Sequence, residues 1–223
     1  MKVLWEHKGF SIPVMIFLLI GIVLVLVVPY GNEVLFFNDL RKEPLVSLFK
    51  FFSWCGETWI WIICGLAALF WRFRFTLIIA ATGLLMPLVF ILKDQAAVDR
   101  PATYFQKENK FQELVVVPGI FLNRGQTSFP SGHTMAAFGL FTTLTLMAGK
   151  KRKGAITLFA VLAIGAGISR VFLAQHFLID VLGGAVLGML VSTFVWQLNE
   201  SKLIGKNQLL DGRIKWPAKS HGA

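Results

Sequence analysis

Of the 223 residues, 56% are hydrophobic and 15% are charged, whereas about a quarter of the residues of a soluble domain are usually charged. This composition excludes an ordinary soluble domain and favours an integral membrane protein. The net charge of +10 could indicate a nucleic-acid partner, but the topology derived below accounts for all of it. The two cysteines, Cys55 and Cys64, lie in or beside one apolar run and predict no disulfide framework.

Six apolar runs predict an all-α integral membrane protein, a single domain over 1–223 with six transmembrane helices. The first run has no signal-peptide cleavage pattern after it, so we expect it to be retained as a helix. The segment 33–53 mixes charges with Leu and Phe, which predicts a short amphipathic helix at the membrane interface. The predicted spans are 10–28, 54–70, 75–92, 131–148, 155–174 and 177–196.

The distribution of basic residues predicts the orientation in the membrane. Six spans place both termini on one side, together with the basic turns at 72–74 and 150–153 and the tail 197–223. These segments hold thirteen of the 22 Lys and Arg residues and three of the 12 acidic residues, which leaves the opposite side neutral. Lys and Arg accumulate in short cytoplasmic loops. We therefore predict that the termini and the basic tail are cytoplasmic, and a nucleic-acid partner loses its support.

The first of three polar clusters at the opposite face ends the third span. Lys93 and Arg100 are seven residues apart, so on one helix they would fall close to one face. Pro101 biases Arg100 away from helical geometry and is expected to end the element. Taken alone, these residues are typical of interfacial cations whose charged groups reach toward water.

The second cluster, Pro130-Ser131-Gly132-His133, opens the fourth span. Serine favours a helix start, and glycine lets the main chain approach a ligand closely. The unpaired N–H groups at a helix N-terminus form an anion site. His133 adds a proton donor beside that site, although a capped helix start with a packed histidine would have the same four residues.

The third cluster runs from Ser169 to Asp180 and carries an arginine, a histidine and an aspartate between apolar runs. Such residues are costly in a membrane and indicate a functional site. His176 and Asp180 are four residues apart, so on a helix the carboxylate can orient the imidazole for nucleophilic or acid–base work. The alternative, an interfacial Arg170 beside a structural His–Asp pair, is weaker because Asp180 lies inside an apolar span.

The three clusters together predict phosphoryl-transfer chemistry. The other two histidines, His7 and His221, lie near the chain ends, so His133 and His176 are the two in the body of the chain. Fixed cations and a helix N-terminus suit a phosphate and the charge of its transition state. Two histidines suit a double displacement, in which one attacks phosphorus and the other protonates the leaving oxygen and then activates water.

The motifs resemble the three-part signature of the type 2 phosphatidic acid phosphatase superfamily: Lys, six residues and Arg-Pro; then Pro-Ser-Gly-His; then Ser-Arg, five residues, His, three residues and Asp. Every signature position within 93–180 is matched. The resemblance implies that His176 forms a phosphohistidine, that Asp180 orients it and that His133 is the general acid. It implies phosphate binding by the main chain and side chains of Lys93, Arg100, Ser131, Gly132 and Arg170.

The resemblance also implies a metal-independent enzyme without a cofactor, which accords with the lack of a third body histidine for a zinc site. Its substrate would be a phosphorylated lipid, met at the periplasmic face of a bacterial inner membrane. Undecaprenyl diphosphate, phosphatidylglycerol phosphate, phosphatidic acid and lipid A phosphates stay open as substrates. The polar insertion 94–129 is expected to shape the head-group pocket, and we expect the lipid to enter laterally between helices.

Three alternatives stay open at this stage, as does the oligomeric state. A lipid phosphotransferase would use the same site. A metal-assisted hydrolase would use His176, Asp180, Asp94 and Asp99. A transporter or structural membrane protein would use the polar residues as a pathway, and the main feature of span six would then be Gly184 and Gly188, which are spaced for close helix packing.

Overall fold

The computed structural model describes residues 2–201 and 208–214, and in these two ranges the regular structure is entirely helical. The remaining part of the predicted cytoplasmic tail, 202–207 and 215–223, lies outside the described residues. Short 3₁₀ turns occur at Asn38–Leu40, Met86–Leu88, Phe111–Glu113 and Gln208–Asp211. The α-helices are α1 (Lys2–Trp5), α2 (Lys8–Val27), α3 (Asn32–Leu35), α4 (Leu45–Trp54), α5 (Thr58–Leu69), α6 (Phe73–Leu85), α7 (Val89–Ala96), α8 (Pro101–Lys107), α9 (Gly132–Ala148), α10 (Lys153–Phe172) and α11 (Leu178–Glu200).

Four segments of the described chain are long and apolar enough to cross a membrane, namely Lys8–Val27, Phe73–Lys107, Lys153–Phe172 and Leu178–Glu200. A fifth is added if α4 and α5, which are bent by 54° relative to each other, form one broken span. The prediction of an all-helical membrane protein is confirmed. The count of six stays a prediction, because α9 has 17 residues, at the short end of what crosses a hydrocarbon core of roughly 30 Å.

The second and third spans differ in detail from the sequence prediction. The predicted span 54–70 begins in the structure with a bend, because Glu57 is extended (φ −79°, ψ 152°) and starts α5. The predicted interfacial segment 33–53 folds as α3, a 3₁₀ turn and α4. In the third span, Pro87 lies in the 3₁₀ turn between α6 and α7, where its missing N–H is tolerated.

α9 packs between α10 and α11, and glycine lets α11 approach it main chain to main chain. A Cβ on Gly188 would overlap the carbonyl oxygen of Met135 and lie 2.8 Å from the nitrogen of Gly139. A Cβ on Gly184 would lie 3.2 Å from the nitrogen of Met135. The close packing predicted for these two glycines is confirmed, and it holds the N-terminal ends of α9 and α11 side by side.

Filling this contact is expected to destabilise the protein. Because Gly188→Ala places a methyl group against rigid main chain, we expect a loss of about 1–3 kcal/mol, the usual cost of overpacking. Gly154→Ala is the matched control, since nothing lies within 4 Å of its Cβ position, and we expect a change within about 0.5 kcal/mol. Thermal unfolding of the purified variants in detergent measures both. Equal midpoints for the two variants would show that α9 and α11 are not in this contact.

Candidate active site

His176 and Asp180 form a buried pair where α10 is connected to α11. The Nδ1 atom of His176 lies 3.4 Å from Oδ2 of Asp180, and their exposed fractions are 2% and 0%. His176 is not on a helix, contrary to the geometry assumed from the spacing, because α10 ends at Phe172 and α11 begins at Leu178. Asp180 instead caps α11, since the same oxygen accepts a hydrogen bond of 2.9 Å from the main-chain N–H of Phe177.

The surroundings of His176 favour its neutral form. Burial holds the pKa of His176 well below its usual range, and the charges of neighbouring cations lower this pKa further. Its Nε2 atom faces Nη1 of Arg100 at 3.4 Å. Because the carboxylate of Asp180 can only accept, the pairing favours a proton on Nδ1 and a lone pair on Nε2. A neutral imidazole in this tautomer has its nucleophilic nitrogen on the side of the cations.

Lys93, Arg100 and Arg170 come from three different parts of the chain, and Arg100 is the one in contact with Nε2 of His176. Lys93 donates from Nζ to the carbonyl oxygen of Thr127 at 2.6 Å. Arg100 donates to the carbonyl oxygen of Gln175 at 3.2 Å. The charges of all three act on His176, so the sequence clusters do converge in space.

The predicted single helix through Lys93 and Arg100 is wrong. α7 ends at Ala96, and Ala97 adopts a left-handed conformation with φ of 47°. Arg100 is extended and precedes α8, in which Pro101 occupies the first position. Proline is favoured there because the first N–H of a helix has no helical acceptor, so Pro101 starts a helix and does not merely end one.

The start of α9 lies against the same pair. Ser131 is the N-cap, as predicted, and its Oγ accepts from the N–H of Thr134 at 3.3 Å. Its own N–H donates to the carbonyl oxygen of Asp180 at 2.9 Å. A Cβ on Gly132 would lie 3.8 Å from Cε of Lys93. The lysine therefore passes beside the helix N-terminus, where main-chain N–H groups suit an anion.

His133, the second histidine, contacts a segment that the sequence clusters did not include. Its Nε2 lies 2.6 Å from the carbonyl oxygen of Ser53 and 3.9 Å from Oε1 of Glu57. Arg170 donates from Nη1 to Oγ of Ser53 at 2.8 Å. A Cβ on Gly56 would lie 2.9 Å from Nε2 of His133, so the bend between α4 and α5 lies directly against this ring.

Two further residues at the site were also missed. Ser128 donates from Oγ to Oδ2 of Asp180 at 2.5 Å, the same oxygen that accepts from the main-chain N–H of Phe177. Gln175, next to His176, donates to the carbonyl oxygen of Phe121 at 3.0 Å and accepts from Asn123 at 2.8 Å. For Gln175, the one signal in the sequence was its position next to His176.

Two openings lead to the site. A polar cavity of about 570 Å³ lies beside Arg170 and is lined by the polar residues Ser47, Lys50, Ser53, Glu57, Asn123 and Gln175, together with aromatic and apolar neighbours. An apolar groove of about 670 Å³ runs between α5, α6 and α7 and reaches Gly132 at the start of α9. The polar cavity thus reaches the site at Arg170, and the apolar groove reaches it at Gly132.

The residues of the metal-assisted alternative are not brought together. Asp94 is exposed, and Asp99 is paired with Lys107 at 2.7 Å. Within 2–201 and 208–214, no group of three or more His, Cys, Asp or Glu side chains is arranged to hold a metal ion.

The fold and the site define an integral membrane protein in which a buried His–Asp pair, a second histidine and three cations meet at one end of a helical bundle. Residues 71–203 match the family model of the PAP2 superfamily. The chain belongs to this superfamily.

Individual relatives match shorter stretches. Phosphatidylglycerophosphatase B of Bacillus subtilis (strain 168) is 38% identical over 80 residues, which cover 33% of this chain and 39% of that protein. Bacitracin transport permease protein BcrC of Bacillus licheniformis is 41% identical over 69 residues, 31% of this chain and 32% of that protein. The matched stretches thus span less than half the length of these curated relatives.

Among solved structures, the crystal structure of Aquifex aeolicus LpxE is similar, with a TM-score of 0.58 and 23% sequence identity. The superposition covers 75% of this chain and 94% of that chain. This similarity shows a common fold.

Proposed function

We propose that the protein is a membrane lipid phosphatase that hydrolyses a phosphomonoester or diphosphate of a lipid through a phosphohistidine on His176. The observation that carries the proposal is the buried His176, which lies between Asp180 and Arg100 beside the N-terminus of α9. Membership of the PAP2 superfamily supports it. The name of the Bacillus subtilis relative, a phosphatidylglycerophosphatase, places that relative in the same class of activity.

In the first half-reaction, Nε2 of His176 attacks phosphorus and the bond from phosphorus to the lipid oxygen breaks. His133 gives its proton to that oxygen, and Asp180 stabilises the imidazolium character that develops on His176. In the second half, water attacks the phosphohistidine, His133 takes a proton from the water, and the bond from phosphorus to nitrogen breaks. Phosphate leaves, and both histidines return to their starting protonation states.

Three cations and the start of α9 would hold the phosphoryl oxygens. The cations are Lys93, Arg100 and Arg170, and the residues at the helix start are Ser131 and Gly132. These groups neutralise charge that grows in the transition state and are positioned before the reaction. Because the N–H of Ser131 already donates to Asp180, we assign its contribution to the hydroxyl. The N–H groups of the first turn, beginning with Gly132, supply the main-chain donors.

We further propose six spans in one domain, 1–223, with both termini cytoplasmic and the site at the periplasmic face of a bacterial inner membrane. Contacts at the end of the bundle away from His176 support the topology. Lys150, in the turn before α10, pairs with Glu6 near the chain start. Arg74 at the start of α6 donates to Asn199 of α11 and to Asp211, both at 3.1 Å. The basic turns thus meet segments from both ends of the chain.

The apolar groove supports a lipid substrate that enters laterally from the bilayer. Its lining is made by membrane-facing helices and it reaches Gly132, so a chain lying in it could deliver its phosphate to α9. The polar cavity on the other side of Arg170 would then accept the head group. Four residues of the insertion line this cavity, namely Gly119, Ile120, Phe121 and Asn123, which supports the prediction that the insertion shapes the head-group pocket.

Narrowing the groove is expected to lower turnover of a lipid substrate more than turnover of a soluble one. Ala80→Phe places a large ring in the lining, and we expect about a tenfold lower kcat/KM for a long-chain lipid phosphate, since lost apolar burial of a few methylenes has this effect. Turnover of a short, soluble phosphate ester should stay within about twofold of wild type. Ala67→Phe, exposed on α5 outside this lining, is the control. Equal losses on both substrates would contradict lateral binding in this groove.

The substrate itself is best identified with a panel of undecaprenyl diphosphate, phosphatidylglycerol phosphate, phosphatidic acid and lipid A phosphate. Released inorganic phosphate measures hydrolysis, whereas transfer of label to an added lipid alcohol measures a phosphotransferase. A protein that releases phosphate from none of the four, and transfers it to no acceptor, would contradict the proposed function.

A further inference from the structure

The bend between α4 and α5 is a fourth segment at the site, in addition to the three clusters. It extends from Ser53 to Glu57, and within it Gly56 is buried against the ring of His133. Glu57 is held in extended geometry as the first residue before α5. Two groups of the bend, a carbonyl and a carboxylate, therefore face the same histidine.

The carbonyl fixes the proton on one nitrogen of His133. Nε2 lies 2.6 Å from the carbonyl oxygen of Ser53. A carbonyl can only accept a hydrogen bond, so Nε2 carries a proton. The carbonyl oxygen belongs to the main chain at a bend, and the hydroxyl of the same residue accepts from Arg170. This arrangement orients the ring.

The charges around His133 oppose one another. Arg170 of α10 is bound to the hydroxyl of Ser53, and its positive charge disfavours a positive imidazolium on the neighbouring His133. His176 acts in the same sense when it is charged. Glu57 places Oε1 3.9 Å from Nε2. A carboxylate at this distance favours the protonated histidine.

We propose that Glu57 is a positioning residue for the reaction, whose carboxylate keeps His133 doubly protonated. The ring can then give the proton of Nδ1 to the leaving oxygen while the proton of Nε2 stays on the carbonyl oxygen of Ser53. The inference rests on the proposed function, in which His133 is the general acid. Glu57 itself exchanges no proton in either half-reaction. Its side chain is half exposed, at 49%, and it lines the polar cavity.

Leaving groups of different basicity test this role. An alkyl phosphate needs a proton on its leaving oxygen, whereas a nitrophenyl phosphate releases nitrophenolate, a stable anion that needs no proton. Because general acid catalysis contributes about 10²–10⁴-fold, we expect Glu57→Gln to lower kcat/KM for the alkyl ester about 10- to 100-fold. The nitrophenyl ester should lose less than about threefold. We choose kcat/KM because it reports the steps up to formation of the phosphohistidine.

A pH profile gives a second readout. Without the carboxylate, His133 loses its proton at lower pH, so the alkaline limb of kcat/KM for the alkyl ester should move to lower pH in Glu57→Gln. Glu57→Asp, which retains the charge, should restore part of the activity and of the profile. Glu113→Gln, an exposed glutamate outside the cavity, is the control and should match wild type on both esters.

Three results would overturn the proposal: equal losses on both esters, no loss on the alkyl ester, or an unchanged alkaline limb in Glu57→Gln. None of them affects the proposed function, provided that His176→Ala releases no phosphate from either ester. Phosphate release by His176→Ala would instead remove the proposed function, and the role of Glu57 with it.

Discussion

Phosphate release is expected to fall by a factor on the order of 10⁴ or more when His176 is replaced by alanine, since removal of a covalent nucleophile leaves only binding and electrostatic effects. The lone pair of Nε2 is the group that attacks phosphorus in the proposed reaction, and its neighbour in the structure is the cation Arg100. No other described side chain with a nucleophilic nitrogen faces Asp180 in ion-pair contact. Released phosphate, measured on whichever lipid of the panel wild type turns over best, gives the result.

A folding control for His176→Ala and a direct test for the phosphohistidine complete this experiment. His176→Ala leaves the carboxylate of Asp180 buried without its ring, so His176→Gln, closer in volume, should be tested beside it. Both should show thermal unfolding near wild type and no covalent phosphate. Wild type mixed with labelled substrate and denatured in alkali, in which a phosphoramidate survives, should retain label. Label on His176→Gln, or normal phosphate release by either variant, would contradict the mechanism.

Local rules in the sequence predicted the parts of the site that depend on neighbouring residues. Ser131 was expected to start a helix because a serine oxygen can cap the free N–H groups, and it does so in the structure. Gly184 and Gly188 were expected to permit close packing because they are one turn apart. Both features depend on one helix or one contact face, and residue spacing along the chain is enough to predict them.

Spacing failed where the chain leaves the helix. His176 and Asp180 were placed on one helix, yet α11 begins at Leu178 and Asp180 reaches the ring by capping that helix. Lys93 and Arg100 were placed on one face, yet Ala97 turns the chain between them. In both cases the residues come together through a break in the helix, whose position depends on tertiary contacts.

Long-range contacts were beyond the reach of sequence spacing. Ser53 is 80 residues from His133 along the chain, and no local pattern connects them. Arg41 was included in a segment interpreted as an interfacial helix. In the structure it is buried and donates to the carbonyl oxygens of Phe172 and Val115, at 2.7 and 2.8 Å. It thereby connects the end of α10 to the insertion, a role that required the fold to be known.

Substitution of Asp180 by asparagine is the second large effect that we expect. Asparagine retains an oxygen that can accept from Phe177 and Ser128, as Oδ2 of Asp180 does, so the cap of α11 should survive. The negative charge that favours a proton on Nδ1 of His176 is lost. Because a carboxylate in this position sets the tautomer and stabilises the developing imidazolium, we expect kcat/KM to fall about 10²- to 10⁴-fold.

Asp99→Asn is the matched control, since its partner is Lys107, and it should stay within about threefold of wild type, as surface ion pairs contribute little. Thermal unfolding separates loss of the cap from loss of the charge. Activity of Asp180→Asn within threefold of wild type would show that the carboxylate has no role beyond capping.

A double variant tests whether Asp180 acts through His176. If Asp180 acts through His176, then adding Asp180→Asn to His176→Gln should cause no further loss of phosphate release, because residues that act as a unit are not additive. A further loss of tenfold or more would mean that Asp180 contributes by a route that does not pass through the histidine. Its contact with Ser128, at 2.5 Å, would then be the first to examine by Ser128→Ala.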